Sequence, residues 1–318
     1  MLDAHAVRAA VPMTAAVAAV REAFLDLAAG RFAVPQRLSF GDGTTLVMSA
    51  CHTPTSTTVV KTLNLATGRT PMILGTLVWN TAEGQLVADA VEVTTLRTGA
   101  ASGVATDLLA PPSAGRLALL GTGAQAADQV RAVAAVRPMT QLAVFGRSRS
   151  RALAFAERMG AEFPGVVTRV ASSAADAVSD AEIVCCATSS STPLFDVDDL
   201  PARVHVNAIG PYLPSMRELP AGLLEDAACV VVDQVEAALE EAGEVIHAVE
   251  SGLVERSSLI ELGDALRTPP PVSGRTVFKS VGLAVQDWAI ARLLGAHGAS
   301  EWGGGEQRGA AERRNLAD

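Results

Sequence analysis

The chain has 318 residues, of which 49% are hydrophobic, and it carries a formal net charge of −9 with a pI of about 5.1. Its length predicts one large or two ordinary domains with a substantial core. Its acidic balance argues against binding to nucleic acid or to an anionic membrane. Because the sequence shows neither a membrane-spanning run nor a signal peptide pattern, we expect a cytoplasmic protein.

The cysteines and histidines do not form a metal or redox motif. Cys51, Cys185, Cys186 and Cys229 include no C-x-x-C pair, and the five histidines show no ligand spacing. We therefore expect buried, reduced thiols and no metal site. His52 lies in the segment CHTP, which is typical of a loop, so we expect this side chain to face solvent.

The first hundred residues predict a helix followed by a small sheet. Residues 14–29 repeat apolar side chains at helical spacing. Residues 44–93 contain four β-rich runs separated by turn signals. This pattern predicts a mostly antiparallel sheet in a domain of its own.

A dinucleotide-binding motif follows. Leu117–Leu120 form an apolar run that predicts a buried strand, residues 127–136 predict a helix, and G-x-G-x-x-A lies between them. The first glycine allows the tight turn, the second lets the backbone approach a pyrophosphate, and the alanine lets the helix pack on the sheet. The expected cofactor loop consists of Gly121, Thr122, Gly123, Ala124, Gln125 and Ala126.

From this point strands and helices alternate, as is typical of a doubly wound parallel sheet. The further predicted strands are 141–145, 166–170, 182–186, 204–209 and 229–232, and the further helices are 151–159, 174–178 and 234–241. The predicted fold class is therefore α/β, with a Rossmann-type NAD(P)-binding domain over 112–282.

The end of the chain leaves this alternating pattern. Leu283–Leu294 predicts an amphipathic helix that returns to the first domain, and Asp287 near its start is interpreted as a local charge. Residues 1–111 and 283–298 would then form one discontinuous α+β domain. Residues 299–318 are rich in glycine and charge, so we expect a disordered tail.

The end of the second Rossmann strand indicates which dinucleotide binds. An NAD site usually places Asp or Glu there for the ribose 2′-hydroxyl, but no acidic residue occurs between Asp128 and Glu157. Arg147, Ser148 and Arg149 instead suit a 2′-phosphate. The sequence therefore favours NADP(H), and NAD(H) stays open.

Several segments together resemble one protein family, that of ornithine cyclodeaminase and mu-crystallin. They are VVKTLNL at 59–65, TTLRTGAASGVAT at 94–106, LLGTGAQA at 119–126, VFGRSRSRA at 144–152, NAIGPYLPSMREL at 207–219, EEAGEV at 240–245 and FKSVGLAVQD at 278–287. The resemblance implies that the discontinuous domain binds substrate and forms a homodimer. It also implies an enzyme that acts on small α-amino or α-imino acids with a nicotinamide cofactor.

By motif match, the resemblance implies that Arg37, Lys61 and Arg97 surround the substrate carboxylate. A carboxylate in a water-poor cleft needs charged donors, and the arginine fork matches its two oxygens. The resemblance also places Gly282 near the nicotinamide, where a glycine permits close backbone approach. Ala187, Thr188 and Gly210 complete the expected cofactor contacts.

Tyr212 bears on which reaction of the family is expected. True cyclodeaminases carry an aspartate at this place, and a phenol with its ordinary pKa of about 10 is a poor base. The leading hypothesis is therefore net reduction of an α-imino acid such as pyrroline-2-carboxylate or piperideine-2-carboxylate, with Lys61 or Tyr212 near the imine nitrogen. An alanine-dehydrogenase-like enzyme, a cyclodeaminase and a non-catalytic NADPH-binding protein stay open.

Overall fold

The structure is a computed structural model that describes residues 1–41, 44–66 and 73–297. Within these ranges the chain forms two sheets, one of six strands and one of eight. No helix in this part of the chain is long and apolar enough to cross a membrane. The tail predicted over 299–318 lies outside the described residues.

The six-stranded sheet is antiparallel, as the sequence predicts. Its strands are β1 (Phe32–Ala33), β2 (Leu38–Phe40), β3 (Thr45–His52), β4 (Thr57–Leu65), β5 (Ile73–Asn80) and β6 (Gln85–Asp89). They pair in the order β1-β3-β4-β5-β6, and β2 pairs with β3. Because side chains alternate along a strand, Val59 and Lys61 of β4 lie on the buried face and Val60 lies on the exposed face.

The eight-stranded sheet is parallel and confirms the Rossmann-type prediction. Its strands are β7 (Arg116–Leu120), β8 (Gln141–Phe145), β9 (Val167–Val170), β10 (Ile183–Cys186), β11 (Val204–Ala208), β12 (Cys229–Val232), β13 (Leu259–Glu261) and β14 (Arg275–Lys279). They pair in the order β13-β12-β14-β11-β10-β7-β8-β9. The chain runs from β7 to β9 on one side and continues with β10 on the other, so the switch point lies between β7 and β10.

Two strands of this sheet are absent from the sequence prediction. β13 has only three residues. β14 has five, but only the three between Arg275 and Lys279 are uncharged. Neither run is long enough to be distinguished from a loop by its pattern. β14 nevertheless lies near the middle of the sheet, between β12 and β11, and its end carries Lys279 and the following loop toward the switch point.

The helices cover both sheets and fill the space between them. They are α1 (Ala4–Ala10), α2 (Met13–Ala28), α3 (Ala90–Leu109), α4 (Ala126–Val136), α5 (Arg149–Glu162), α6 (Ala174–Val178), α7 (Ala221–Asp226), α8 (Val235–Glu241), α9 (Gly243–Glu250), α10 (Leu262–Arg267) and α11 (284–297). The β-rich run predicted to reach residue 93 ends earlier, because Asp89 caps α3 by accepting a hydrogen bond from the backbone N–H of Glu92 at 2.7 Å.

The structure corrects the amphipathic interpretation of the last helix. Residues 281–291 are all buried, including Gln286 and Asp287. α11 lies in one core with Leu77 of the first sheet and Phe278 of the second. A helix between two sheets is covered on all sides, so its polar residues mark a site within the protein and not its outer surface.

α3 and α4 connect the two sheets through a close helix–helix contact. A Cβ on Gly99 would collide with the backbone carbonyl of Asp128, and a Cβ on Gly103 would lie only 3.4 Å from Ala132 of α4 and would collide with Val17 of α2. Arg8 of α1 reinforces this contact, since it donates hydrogen bonds to both carboxylate oxygens of Asp128 and also pairs with Glu92. The helix that begins at the dinucleotide motif is thus fixed directly on the helix that carries Arg97.

Candidate active site

The loop after β7 has the geometry that a dinucleotide needs. Gly121 adopts a φ of +106°, which a residue with a side chain rarely reaches. A Cβ on Gly123 would meet no atom within 4 Å, so this backbone faces open space directly before α4. The start of a helix offers unpaired N–H groups and the positive end of its dipole to phosphates. These residues therefore fit a dinucleotide pyrophosphate.

A cavity of about 530 Å³ extends from this loop to the end of β8. Thr122, Arg147 and Ser148 line it, together with Arg151 of α5, and no acidic residue of the described part of the chain lines it. Arg149, expected to contact the cofactor, is not among the residues that line this cavity. Ser148 caps α5 by accepting a hydrogen bond from the Arg151 N–H. The basic residues that line this cavity are therefore Arg147 and Arg151.

A second cavity of about 280 Å³ continues the first toward the six-stranded sheet. The two share Gly123, Ala187, Thr188 and Ser189, so together they form one cleft. Further residues expected from the sequence to contact ligands also line the second cavity, namely Arg37, Arg97, Ala124, Gln125, Gly210, Tyr212 and Gly282. Ala126 is fully buried at the start of α4, as a contact between helix and sheet requires.

Lys61 lies behind the wall of this second cavity. Its side chain is fully buried, and its Nζ lies 2.7 and 2.8 Å from the two carboxylate oxygens of Asp287 and 3.3 Å from Oγ1 of Thr94, which lines the cavity. Burial lowers the pKa of Lys61 to about 8, and the carboxylate of Asp287 opposes this effect. The interpretation of Asp287 as a local charge is therefore wrong, because it is the buried partner of Lys61.

Arg97 is held at the cavity wall by α11 and by the loop before it. Its Nη1 donates a hydrogen bond to Oε1 of Gln286 at 2.5 Å, and its Nε lies 3.6 Å from Asp287 Oδ1. Gly282 has a φ of +85°, and a Cβ there would collide with the Arg97 guanidinium. Gly282 therefore makes room for Arg97 in addition to lining the cleft.

Arg37 enters the same cavity from the segment before β2. It forms an ion pair with Glu241 of α8. Burial, followed by the neighbouring charge of Arg97, lowers the pKa of Arg37 to about 10. The structure thus places Arg37 and Arg97 directly in the cavity wall with Tyr212, whereas Lys61 lies one hydrogen bond behind it.

His52 is not the solvent-facing residue that the sequence predicts. It is the last residue of β3, it is buried, and its ring lies 4.5 Å from that of Trp288 and 4.9 Å from that of Phe32. The segment CHTP begins within a strand, which places His52 on the covered face. His52 therefore contributes to packing around α11 and does not line the cleft.

Three buried charged residues support the loops of the cleft, and the sequence motifs assign a role of their own to none of them. The Glu218 carboxylate accepts hydrogen bonds from the N–H groups of Thr188 at 2.5 Å and Gly210 at 3.0 Å, and burial raises its pKa to about 7. Asp233 accepts from the N–H groups of residues 281 and 282 and from the hydroxyl of residue 280. Lys279 donates to the carbonyl of Pro211 at 3.1 Å and lies 3.1 Å from Glu244.

The amino-acid composition contains one indication of buried cationic side chains beside the cleft. The chain has only two lysines, Lys61 and Lys279, among 25 basic residues. Both are fully buried beside the cleft. A chain that uses arginine for its other cationic side chains keeps lysine where a compact ammonium group must fit among buried oxygen atoms.

The switch point of the parallel sheet carries a loop that fits a dinucleotide, and this loop faces a cationic pocket beside the second sheet. These features define the class of protein as a dinucleotide-dependent α/β enzyme. The chain belongs to the ornithine cyclodeaminase/mu-crystallin family, whose model matches residues 1–298. This match confirms the resemblance inferred from the sequence motifs.

Several proteins that this chain resembles in sequence are named as reductases. The chain is 40% identical over 223 residues to a Δ1-pyrroline-2-carboxylate reductase of Bacillus cereus, a match that covers 68% of this chain and 67% of the relative. It is 32% identical over 222 residues to the ketimine reductase mu-crystallin of Mus musculus, covering 69% and 67%. The Thermococcus litoralis Δ1-pyrroline-2-carboxylate reductase, solved with NADH and L-proline, is similar in structure, with a TM-score of 0.88, 27% identity and coverage of 95% and 98%.

Proposed function

We propose that this chain is an NAD(P)H-dependent reductase of small cyclic α-imino acids, of the pyrroline-2-carboxylate or piperideine-2-carboxylate type. The observation that carries the proposal is the shared cleft. Arg37 and Arg97 line a small cavity that is continuous with the dinucleotide cradle. A carboxylate held by these cations would lie next to the place where a nicotinamide ring ends.

The chain's residues would act mainly by orientation. The guanidinium of Arg97 offers parallel N–H donors to the substrate carboxylate, and its own position is fixed by Gln286 and Gly282. A bound reduced nicotinamide supplies the hydride. Tyr212 lines the cavity directly, whereas the Lys61 ammonium is engaged by Asp287 and Thr94. Tyr212 is therefore the better placed donor toward the imine nitrogen.

The remaining wall of the pocket favours an aliphatic ring. Leu46, Met48 and Leu63 line the cavity on the side of the six-stranded sheet, and among the described residues none that lines this cavity is acidic. Contact of the ring methylenes of a cyclic imine with this apolar surface would favour binding. The charged tail of ornithine or lysine would be desolvated there without a counter-charge, which argues against cyclodeamination.

We propose NADP(H) as the preferred cofactor. Arg147, Ser148 and Arg151 line the cavity at the end of β8, where an NAD site places an acidic residue. Two arginines and a hydroxyl match the charge and the acceptor oxygens of a 2′-phosphate.

We also propose that residues 1–111 and 283–298 form one domain and residues 112–282 the other, and that the protein is a homodimer in the cytoplasm. The exposed face of the first sheet carries Leu38, Phe40, Val60 and Leu74, which the strand register places on one side. An apolar sheet face of this kind suits a second copy of the same chain. The four free cysteines fit a reducing compartment.

An assay of three substrate sets tests the activity. We expect NADPH consumption, followed by its absorbance, with pyrroline-2-carboxylate or piperideine-2-carboxylate, and at most slow consumption with pyruvate plus ammonia. Ornithine should yield no proline. Rapid consumption with pyruvate and ammonia would identify an amino-acid dehydrogenase, and proline formed from ornithine without net NADPH change would identify a cyclodeaminase. Silence with every substrate would favour a binding protein.

A further inference from the structure

Asp287 joins the two cations that lie deepest at the carboxylate pocket. Its Oδ2 lies 2.7 Å from Lys61 Nζ, and its Oδ1 lies 2.8 Å from the same atom and 3.6 Å from Nε of Arg97. The three side chains come from α11, β4 and α3. Asp287 is fully buried in the first turn of α11, where the helix dipole favours a negative charge.

Without Asp287 this arrangement would be electrostatically unfavourable. The charged groups facing Lys61 are Asp287 of α11, Arg97 of α3 and Arg37 of the segment before β2, and only the first is an anion. A fully buried ammonium beside two guanidinium groups tends to lose its proton. A neutral Lys61 would leave the pocket with less attraction for a carboxylate.

We propose that Asp287 is a positioning residue of the carboxylate pocket. Its own carboxylate holds Lys61 on one side and Arg97 on the other, and it keeps Lys61 charged beneath the pocket. The inference rests on the proposed function for its role in substrate binding. The effect of Asp287 on the charge of Lys61 concerns the protein alone, so it can be measured without turnover.

The two-lysine composition makes a direct test practical. In the full-length protein labelled with 13C at lysine Cε, only Lys61 and Lys279 give signals, and Lys61→Arg assigns them. We expect Asp287→Asn, which keeps the side-chain shape, to lower the pKa of Lys61 by about one unit or more. Asp107→Asn, on α3 and paired with Arg21 and Arg137, is the matched control and should leave both signals unchanged.

The kinetic readout follows from the same shift. In the wild type, the KM for the imino acid should rise as the pH passes about 8, because Lys61 loses its proton there. In Asp287→Asn this rise should begin about one pH unit lower. A variant whose KM is raised equally at every pH would show a merely structural role and overturn the proposal, as would an unshifted Lys61 signal.

A second variant covers the case in which Asp287→Asn does not fold. Arg97→Ala removes a neighbouring cation, so it should raise the pKa of Lys61, and an unchanged value would overturn the coupling of the three groups. The outcomes also separate the two proposals. A wild type that fails to reduce cyclic imines overturns the proposed function alone, while an unshifted Lys61 in an active enzyme overturns the role of Asp287 alone.

Discussion

At the scale of single residues, two arginines distinguish the halves of the cleft. Arg97 is buried at the cavity wall, where its Nη1 donates a hydrogen bond to Gln286 and its Nε lies 3.6 Å from Asp287. Arg147 lines the other end of the cleft beyond β8. One is expected to recognise the substrate carboxylate and the other the cofactor, so their variants should affect different kinetic constants.

Replacement of Arg97 should impair binding of the imino acid. We expect Arg97→Ala to raise its KM about ten- to hundredfold, since a charge-assisted hydrogen bond contributes roughly 1.5–3 kcal/mol. The KM for NADPH should change little. Steady-state kinetics check this, with the exposed Arg169→Ala as the control. Equal effects of both variants would argue against a carboxylate contact.

Replacement of Arg147 should change the cofactor preference. We expect Arg147→Ala to lose most of the preference for NADPH over NADH, because the 2′-phosphate loses a cationic partner. Fluorescence titration with both cofactors measures this. Arg149→Ala is the matched control, because Arg149 is not among the residues that line the cavity. Wild-type protein that binds both cofactors equally would contradict the assignment.

At the scale of elements, the contact between α3 and α4 fixes the cleft. Gly99→Ala would push the helices apart, because the new Cβ collides with the carbonyl of Asp128. We expect a loss of about 1–3 kcal/mol in the free energy of unfolding and weaker NADPH binding. Gly160→Ala in α5 has room for its Cβ and should be neutral or stabilising. Denaturant unfolding of both variants compares them, and equal stabilities would refute the close contact.

Elements with strong local patterns were predictable from the sequence, and those defined by their surroundings were not. Alternation identified β4, and the glycine motif identified the turn from β7 to α4, because both depend on adjacent residues. α3 was missed since a helix buried on nearly all sides has no polar face. β14 was missed because only three residues lie between its charged ends, Arg275 and Lys279, and so short a run has no distinctive pattern.

The site shows the same division. Arg37, Arg97 and Tyr212 were expected from motifs and do line one cavity. Asp287 and Glu218 were not recognised, because their importance comes from partners about 226 and 30 residues away in the chain. A charge in a sequence does not reveal its burial, and burial is what makes these carboxylates informative.

At the scale of the whole molecule, the exposed face of the first sheet predicts a dimer. Light scattering should give about twice the chain mass of 32.7 kDa for the wild type. Val60→Asp should give the monomer mass, because a charge would be buried in the contact. Val167→Asp, an exposed valine of β9, is the control and should remain dimeric. A monomeric wild type would contradict this surface assignment.

Transfer of deuterium from the cofactor is the most direct measurement of hydride delivery to the imine carbon. With NADPH deuterated at the transferred position of carbon 4 and unlabelled pyrroline-2-carboxylate, we expect proline that carries one deuterium at Cα for each NADPH consumed. Mass spectrometry and NMR locate and count the label. Proline without deuterium, or no consumption of NADPH while the folded protein binds both ligands, would contradict hydride transfer to the imine carbon.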